Sequence, residues 1–114
     1  MASYAIGRLR DVRLGPQIVA YLERIDATLA PFGGRFLIHG DPPEVLEGAW
    51  TGDLIVIAFP DRTQARAWYA SPAYRAILPL RTGNSVGDVI LIDGVCETHR
   101  AVDVLKSAAS ESAA

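Results

Sequence analysis

Apolar and polar positions alternate along "SYAIGRLRDV" (3–12), so that Tyr4, Ile6 and Arg8 share one side and Ala5, Gly7 and Leu9 the other. This two-residue period predicts a strand. Gly7 inside it permits close approach by another backbone or a ligand, or a bulge. The period then changes. In "GPQIVAYLERIDATLAPFGG", Ile18, Leu22, Ile25 and Leu29 recur at helical spacing and mark one apolar face. Pro16 suits the first helical position behind Gly15, and Pro31 with Gly33-Gly34 supplies the stop. "RFLIHG" and "EVLEG" predict two short extended pieces divided by "DPP". Proline cannot donate to a ladder, so this stretch belongs on an edge strand or in a bend.

"DLIVIAFP" (53–60) is apolar at nearly every position, as a strand covered on both faces would be. Asp61 then caps a helix over "RTQARAWYA", with Gln64 completing a capping-box-like pair and Ala65, Trp68 and Tyr69 at helical spacing. Ser71 and Pro72 restart the helix, so two pieces with a break at Ser71 are expected. After "RTGNSVG", "DVILIDG" (88–94) is a strand that is again apolar on both parities. "HRAVDVLKSAASESAA" predicts a short helix through Leu105 and then a frayed tail with nothing to bury. With no internal repeat or linker, the chain divides into one domain over 1–96 and a C-terminal extension over 97–114.

The order strand, helix, strand, strand, helix, strand is that of the split βαβ, ferredoxin-like α+β fold. Its antiparallel sheet carries both helices on one face. Residues 53–60 and 88–92 are nevertheless apolar on both parities. Burying a Val or Ile side chain is worth about 1.5–3 kcal/mol, so a bare apolar face would be costly. A second copy of the chain is the simplest cover, giving a homodimer with the two sheets face to face in a closed, barrel-like assembly.

"FGGRF" (32–36), "EVLEGAW" (44–50), "LIVIAFPDRTQARAWYASPAY" (54–74) and "GDVILIDG" (87–94) together resemble the domain-of-unknown-function family 1330 of the dimeric α+β barrel superfamily. The resemblance runs over roughly residues 3 to 95. It implies the same fold and dimer, and no particular reaction. Gly40-Asp41-Pro42-Pro43 behind His39 and the long extension after Gly94 depart from the commoner family pattern. Members of the wider superfamily include cofactor-independent monooxygenases, muconolactone isomerases, polyketide cyclases and dechlorinating enzymes. They share a cleft between sheet and helices, but a shared fold does not transfer chemistry.

Composition narrows the function classes. The 114 residues are 50% hydrophobic and 21% charged, a folded rather than a disordered composition. A formal net charge of −2 offers no basic surface for nucleic acid. Cys96 is the only cysteine, which excludes an intrachain disulfide and the usual thiolate zinc sites. No run approaches the ~18 apolar residues of a membrane span, and no basic-then-apolar leader opens the chain. The cytoplasm is the expected location.

His39 is the leading catalytic candidate. Counted along an unbroken strand, it shares a face with Arg35 and Leu37. On the helix-covered face it would stand at the cleft mouth and move a proton near neutral pH, with Asp41 orienting the imidazole. The plainer alternative is a strand-end histidine in water. Trp50 and Tyr74 are candidate ligand-binding rings, whereas Trp68 reads as core. Tyr74 follows the helix break, and its hydroxyl needs a partner if buried. Arg81, approaching the last strand with Asn84 and Asp88, is a candidate holder of an anionic group. Ser71 reads as a helix cap and Cys96 lacks a basic helper other than His99. His39 and Asp41 with Glu44, Glu47 or His99 form no recognised metal motif, so no metal is expected. No glycine-rich phosphate loop is present, so no nucleotide cofactor is expected either. Three readings remain: a cofactor-independent enzyme, monooxygenase-, isomerase- or cyclase-like, acting on a small apolar organic molecule; a non-catalytic metabolite-binding or accessory dimer; or a purely structural protein that needs no pocket.

Overall fold

Strand β1 (Ser3–Arg10) lies inside the sheet and pairs antiparallel with both β3 (Asp53–Phe59) and β4 (Val86–Asp93). Strand β2 (Arg35–Ile38) adds to the outer side of β3, giving the order β2-β3-β1-β4. A computed structural model describes residues 1–106 of the chain. Helices α1 (Pro16–Leu29), α2 (Arg62–Ala70) and α3 (Pro72–Thr82) pack on one face of this four-stranded sheet, the expected α+β ferredoxin-like arrangement. None of the described helices is long and apolar enough to cross a membrane.

The register decides which side chains meet the helices. Ala5 faces Ile57 on one neighbour and Leu91 on the other. Ala5 and Ile57 are buried with Tyr21, Ile25, Trp68, Tyr74 and Ile77 in one core. The opposite parity brings Ile6 beside Val56 and Ile90, and Tyr4 beside Ala58 and Ile92. No helix among the described residues covers that side, and Ile90 and Ile92 remain 53% and 46% exposed. One sheet therefore has a helix-covered face and an open apolar face, as the two-sided apolar patterning requires.

Local chemistry sets the helix ends. Asp61 Oδ1 accepts from the Gln64 amide at 2.8 Å, the backbone half of the expected pair. Ser71 Oγ accepts from the Tyr74 amide at 3.3 Å and donates to the Trp68 carbonyl at 2.7 Å, which divides α2 from α3. On α1 the buried stripe is Ile18, Tyr21, Ile25, Thr28 and Leu29, while Leu22 is exposed.

Three expectations are corrected. β2 is not an unbroken pleat: Phe36 pairs with Ile57 and Ile38 with Val56, leaving Leu37 as an extra residue in a bulge. "EVLEG" forms no strand; residues 39–52 run as a loop. Pro42 and Pro43 have no N–H to offer a ladder, and Gly40 and Gly48 take positive φ of 95° and 73°. The loop returns through Gly52, at φ 92°, where a Cβ would lie 2.5 Å from the Leu9 carbonyl oxygen. Lastly, β1 stops at Arg10 and not at residue 12, because Asp11 turns to φ 52°. After β4, Ala101–Asp103 form a 3-10 turn that continues helically over 104–106. The tail expected beyond Leu105 lies, apart from Lys106, outside the described residues.

Candidate small-molecule site

A cavity of about 240 Å³ lies between the sheet and α1. Its position follows from β1. Ala5 and Gly7 present almost no side chain to the helices there, while Ile55 and Ile57 flank them on β3. A Cβ at Gly7 would meet nothing closer than Ile55 Cβ at 3.9 Å, so the missing side chain leaves empty space. Gly7 lies in unbroken register with both neighbours, so the glycine leaves a gap beside the strand and no bulge.

The cavity floor is polar. Tyr21 and Tyr74 join their hydroxyls at 2.8 Å, with rings edge to face at 6.2 Å and 68°. The Tyr74 ring also lies 4.1 Å from that of Trp68. Trp68 Nε1 donates to Thr28 Oγ1 at 3.0 Å, and Thr28 Oγ1 donates to the Ile25 carbonyl at 2.6 Å. Each buried polar end thus has a partner, as the dry surroundings demand. Arg81, in the last turn of α3, lines the same floor and is 7% exposed. No carboxylate among the described residues lies within ion-pair distance of it.

Electrostatics hold Tyr21 and Arg81 each in one protonation state. Burial raises the Tyr21 pKa, the neighbouring Tyr74 raises it further, and the Arg81 charge offsets only part of this. Tyr21 therefore stays a neutral phenol. For Arg81, burial works against the charge, while the Tyr74 and Tyr21 oxygens beside it favour the charge, and the net direction is upward. The guanidinium stays charged.

The mouth is rimmed by exposed Val12, Leu14 and Leu22, with His39, Gly40 and Asp53. The His39 ring stacks on Phe36, with centroids 4.5 Å apart and planes at 23°. His39 is exposed. Of the residues singled out from the sequence, His39, Tyr74 and Arg81 line one cavity. Asp41 and Trp50 do not. Asp41 is exposed, and no hydrogen bond or ion pair among the described residues joins it to His39. Trp50 is 42% exposed and belongs to the open side of the sheet. There the Arg8 guanidinium stands 4.9 Å over its ring and bonds the Thr51 carbonyl and hydroxyl at 2.9 and 3.0 Å.

Tyr21 and Asp53 escaped the sequence reading. Tyr21 could have been found, because it sits three residues after Ile18 and four before Ile25 on the buried stripe of α1. Asp53 opens an apolar strand and carried no such signal. Elsewhere, Asp88 pairs with Arg10 at 3.5 Å, and Asn84 Nδ2 donates to Gln17 Oε1 at 2.6 Å. The exposed Cys96 thiol is lowered below its usual pKa by its contact with Thr98 at 3.3 Å. No group of three or more His, Cys, Asp or Glu among the described residues is placed to hold a metal ion.

No curated protein matches the chain. Solved structures share its fold at low identity. Protein RPA0582 of unknown function from Rhodopseudomonas palustris superposes with a TM-score of 0.63 at 16% identity, over 83% of each chain. SnoaB, a cofactor-independent oxygenase from Streptomyces nogalater, gives 0.58 at 18% identity, over 87% of this chain and 98% of that one. A dimeric ferredoxin-like protein of unknown function from Jannaschia sp. CCS1 gives 0.57 at 11%, over 82% of this chain and 100% of that one. Such identities establish the fold alone. By sequence, residues 2–95 match a family directly, and the chain belongs to it: Domain of unknown function (DUF1330).

Proposed function

We propose that the protein binds a small, mostly apolar organic molecule in this cavity and acts on it without a cofactor. His39 is the acid–base group, and Tyr74, with Tyr21 and Arg81, orients the bound molecule. One observation carries the reading: an apolar cavity with a phenol pair and a guanidinium at its floor and an imidazole at its mouth. Convergent polar groups in an otherwise apolar pocket are what small-molecule sites are built from. A histidine titrates near neutral pH and can take a proton from a substrate and return it. Such transfers serve isomerase- and cyclase-like chemistry, and the fold likeness to a cofactor-independent oxygenase adds a third class.

One observation favours the non-catalytic reading. His39 is exposed at the rim and is not enclosed with the buried phenols. A metabolite-binding or accessory protein needs the pocket without a titrating group. The two separate by experiment. His39→Ala is tested against a panel of aromatic and lactone substrates, with folding checked by circular dichroism. Loss of turnover in a folded variant supports the enzyme. Turnover unchanged by the substitution ends the role of His39, and binding with no turnover in the wild type leaves the binding reading.

The proposal includes a symmetric homodimer. Ile38, Val86, Ile90 and Ile92 form an exposed apolar surface on the open side. Contiguous apolar patches of this kind mark association surfaces. A standard interface takes about 800 Å² from each partner, a demand that a sheet face can meet. The dimeric ferredoxin-like neighbour offers a precedent in the same fold. A cytoplasmic location is part of the same reading, since a single exposed cysteine suits a reducing compartment.

A further inference from the structure

We infer that the molecule this cavity takes is the anion of a small apolar monocarboxylic acid, its carboxylate seated against Arg81 and the Tyr21–Tyr74 pair. The inference rests on the small-molecule reading above and adds the chemical class of the ligand.

Arg81 is a charge in a largely apolar setting. The arginines that form ion pairs, Arg10 and Arg62, meet Asp88 and Asp93 near the surface, at 3.5 and 3.0 Å. Arg81 is far more buried and has no carboxylate within reach among the described residues. A buried charge is costly unless paired. The Tyr21 and Tyr74 hydroxyls beside it favour the guanidinium by their dipoles but supply no carboxylate. A ligand can supply one, and the planar guanidinium fork matches its two oxygens.

The hydroxyl pair points the same way. Each phenol carries one O–H donor. A single hydrogen bond at 2.8 Å joins the two oxygens, so one proton is committed and the other remains to be donated. The floor thus offers guanidinium N–H groups and one phenol O–H, a donor-rich surface that calls for an acceptor with negative charge. The walls rising from it are Ala5, Gly7, Ile55 and Ile57, which suit an apolar remainder. The volume of about 240 Å³ is below the ~300–1,000 Å³ of drug-sized pockets, so that remainder is a single ring or a short branched chain. Among the described residues Asp53 is the one acidic residue lining the cavity, and it sits at the mouth, where it repels a second carboxylate. Hence a monoacid.

The test pairs each acid with its neutral amide of the same shape: phenylacetate, cyclohexanecarboxylate and 4-methylvalerate against the corresponding amides, plus toluene, by titration calorimetry on the full chain. At least one acid is expected to bind tenfold or more tighter than its amide. Arg81→Met should abolish that preference, and Arg81→Lys should restore part of it. Should Arg81→Met fail to fold, Gly7→Val locates the site, because filling the cavity must abolish the binding of acid and amide alike. Acids and amides binding equally to the wild type overturns the inference and leaves the pocket reading standing. A preference that survives in Arg81→Met or in Gly7→Val also overturns it. If acids, amides and toluene all fail to bind, the pocket reading falls together with the inference.

Discussion

The imidazole of His39 stacks on the ring of Phe36, three residues earlier, with centroids 4.5 Å apart. In an unbroken strand these two residues would point to opposite faces. They meet because Leu37 is an extra residue in β2. A bulge of one residue reverses the parity of everything after it, which is how such irregularities re-aim a side chain beside a site. Phe36 is on the helix-covered side, opposite Ile57, and it brings His39 with it to the cavity mouth.

The stack and the proton can be separated. His39→Phe keeps an aromatic ring against Phe36 but has no titrating nitrogen. Because His39 is exposed, the unfolding free energy should stay within about 0.5 kcal/mol of wild type. If His39 is the acid–base group of the proposed function, turnover of any substrate found for the protein should fall by ~10²–10⁴-fold, the usual worth of a general acid or base. Steady-state kinetics with denaturant melts decides this; a variant that keeps full turnover shows that His39 only packs.

Gly7 gives the opposite kind of test. A glycine in a strand interior is destabilising by roughly 0.5–1 kcal/mol relative to alanine, and here the space beyond its Cα is empty. Gly7→Val should therefore fold with a thermal midpoint no lower than that of wild type while losing small-molecule binding. A large drop in the midpoint would mean that the space is already packed.

The Tyr21 phenol has its pKa raised from an ordinary value of 10.0 by burial and by Tyr74. In the unfolded chain it ionises near pH 10; in the folded protein it does not. Its contribution to stability is therefore complete below pH 10 and is lost as the pH climbs above it. Tyr21→Phe removes that loss. Urea melts at pH 8 and pH 11 should show a smaller fall in stability for Tyr21→Phe than for wild type, and an equal fall would contradict the buried, neutral phenol.

Much of this was legible in the sequence, for identifiable reasons. The helix break at Ser71 and the cap at Asp61 depend on residues close in the chain, and their signals are local. The open apolar face was legible because two strands carry apolar residues on both parities. His39 was singled out, but not its side of the sheet, since parity counting assumes an unbroken pleat and nothing in "RFLIHG" announces the bulge at Leu37. From residue type alone Trp50 reads as a pocket ring. Its place is set instead by Arg8, 42 residues earlier, whose bonds to Thr51 hold the loop on the other face. The partner of Tyr74 is Tyr21, on a different helix, and such pairing across 53 positions is not a local property.

The open face makes its own prediction. Ile90 lies opposite Ile6 on β1 and is exposed. Ile90→Asp puts a charge in the middle of the surface that two copies would share. Sedimentation equilibrium should show a dimer for the wild type and a monomer for the folded variant. A wild type that is monomeric at all accessible concentrations would remove the dimer from the proposal.

The two faces of the sheet carry isoleucines that report on them separately. With isoleucine methyl groups labelled for NMR, the protein is titrated with toluene and the acid–amide pairs. If the cavity between sheet and helices is the site, the signals of Ile57 and Ile25 shift in a saturable way, while those of Ile90 and Ile92 stay in place. Shifts confined to Ile90 and Ile92, or no shift at Ile57 and Ile25 with any of the compounds, would contradict the central claim.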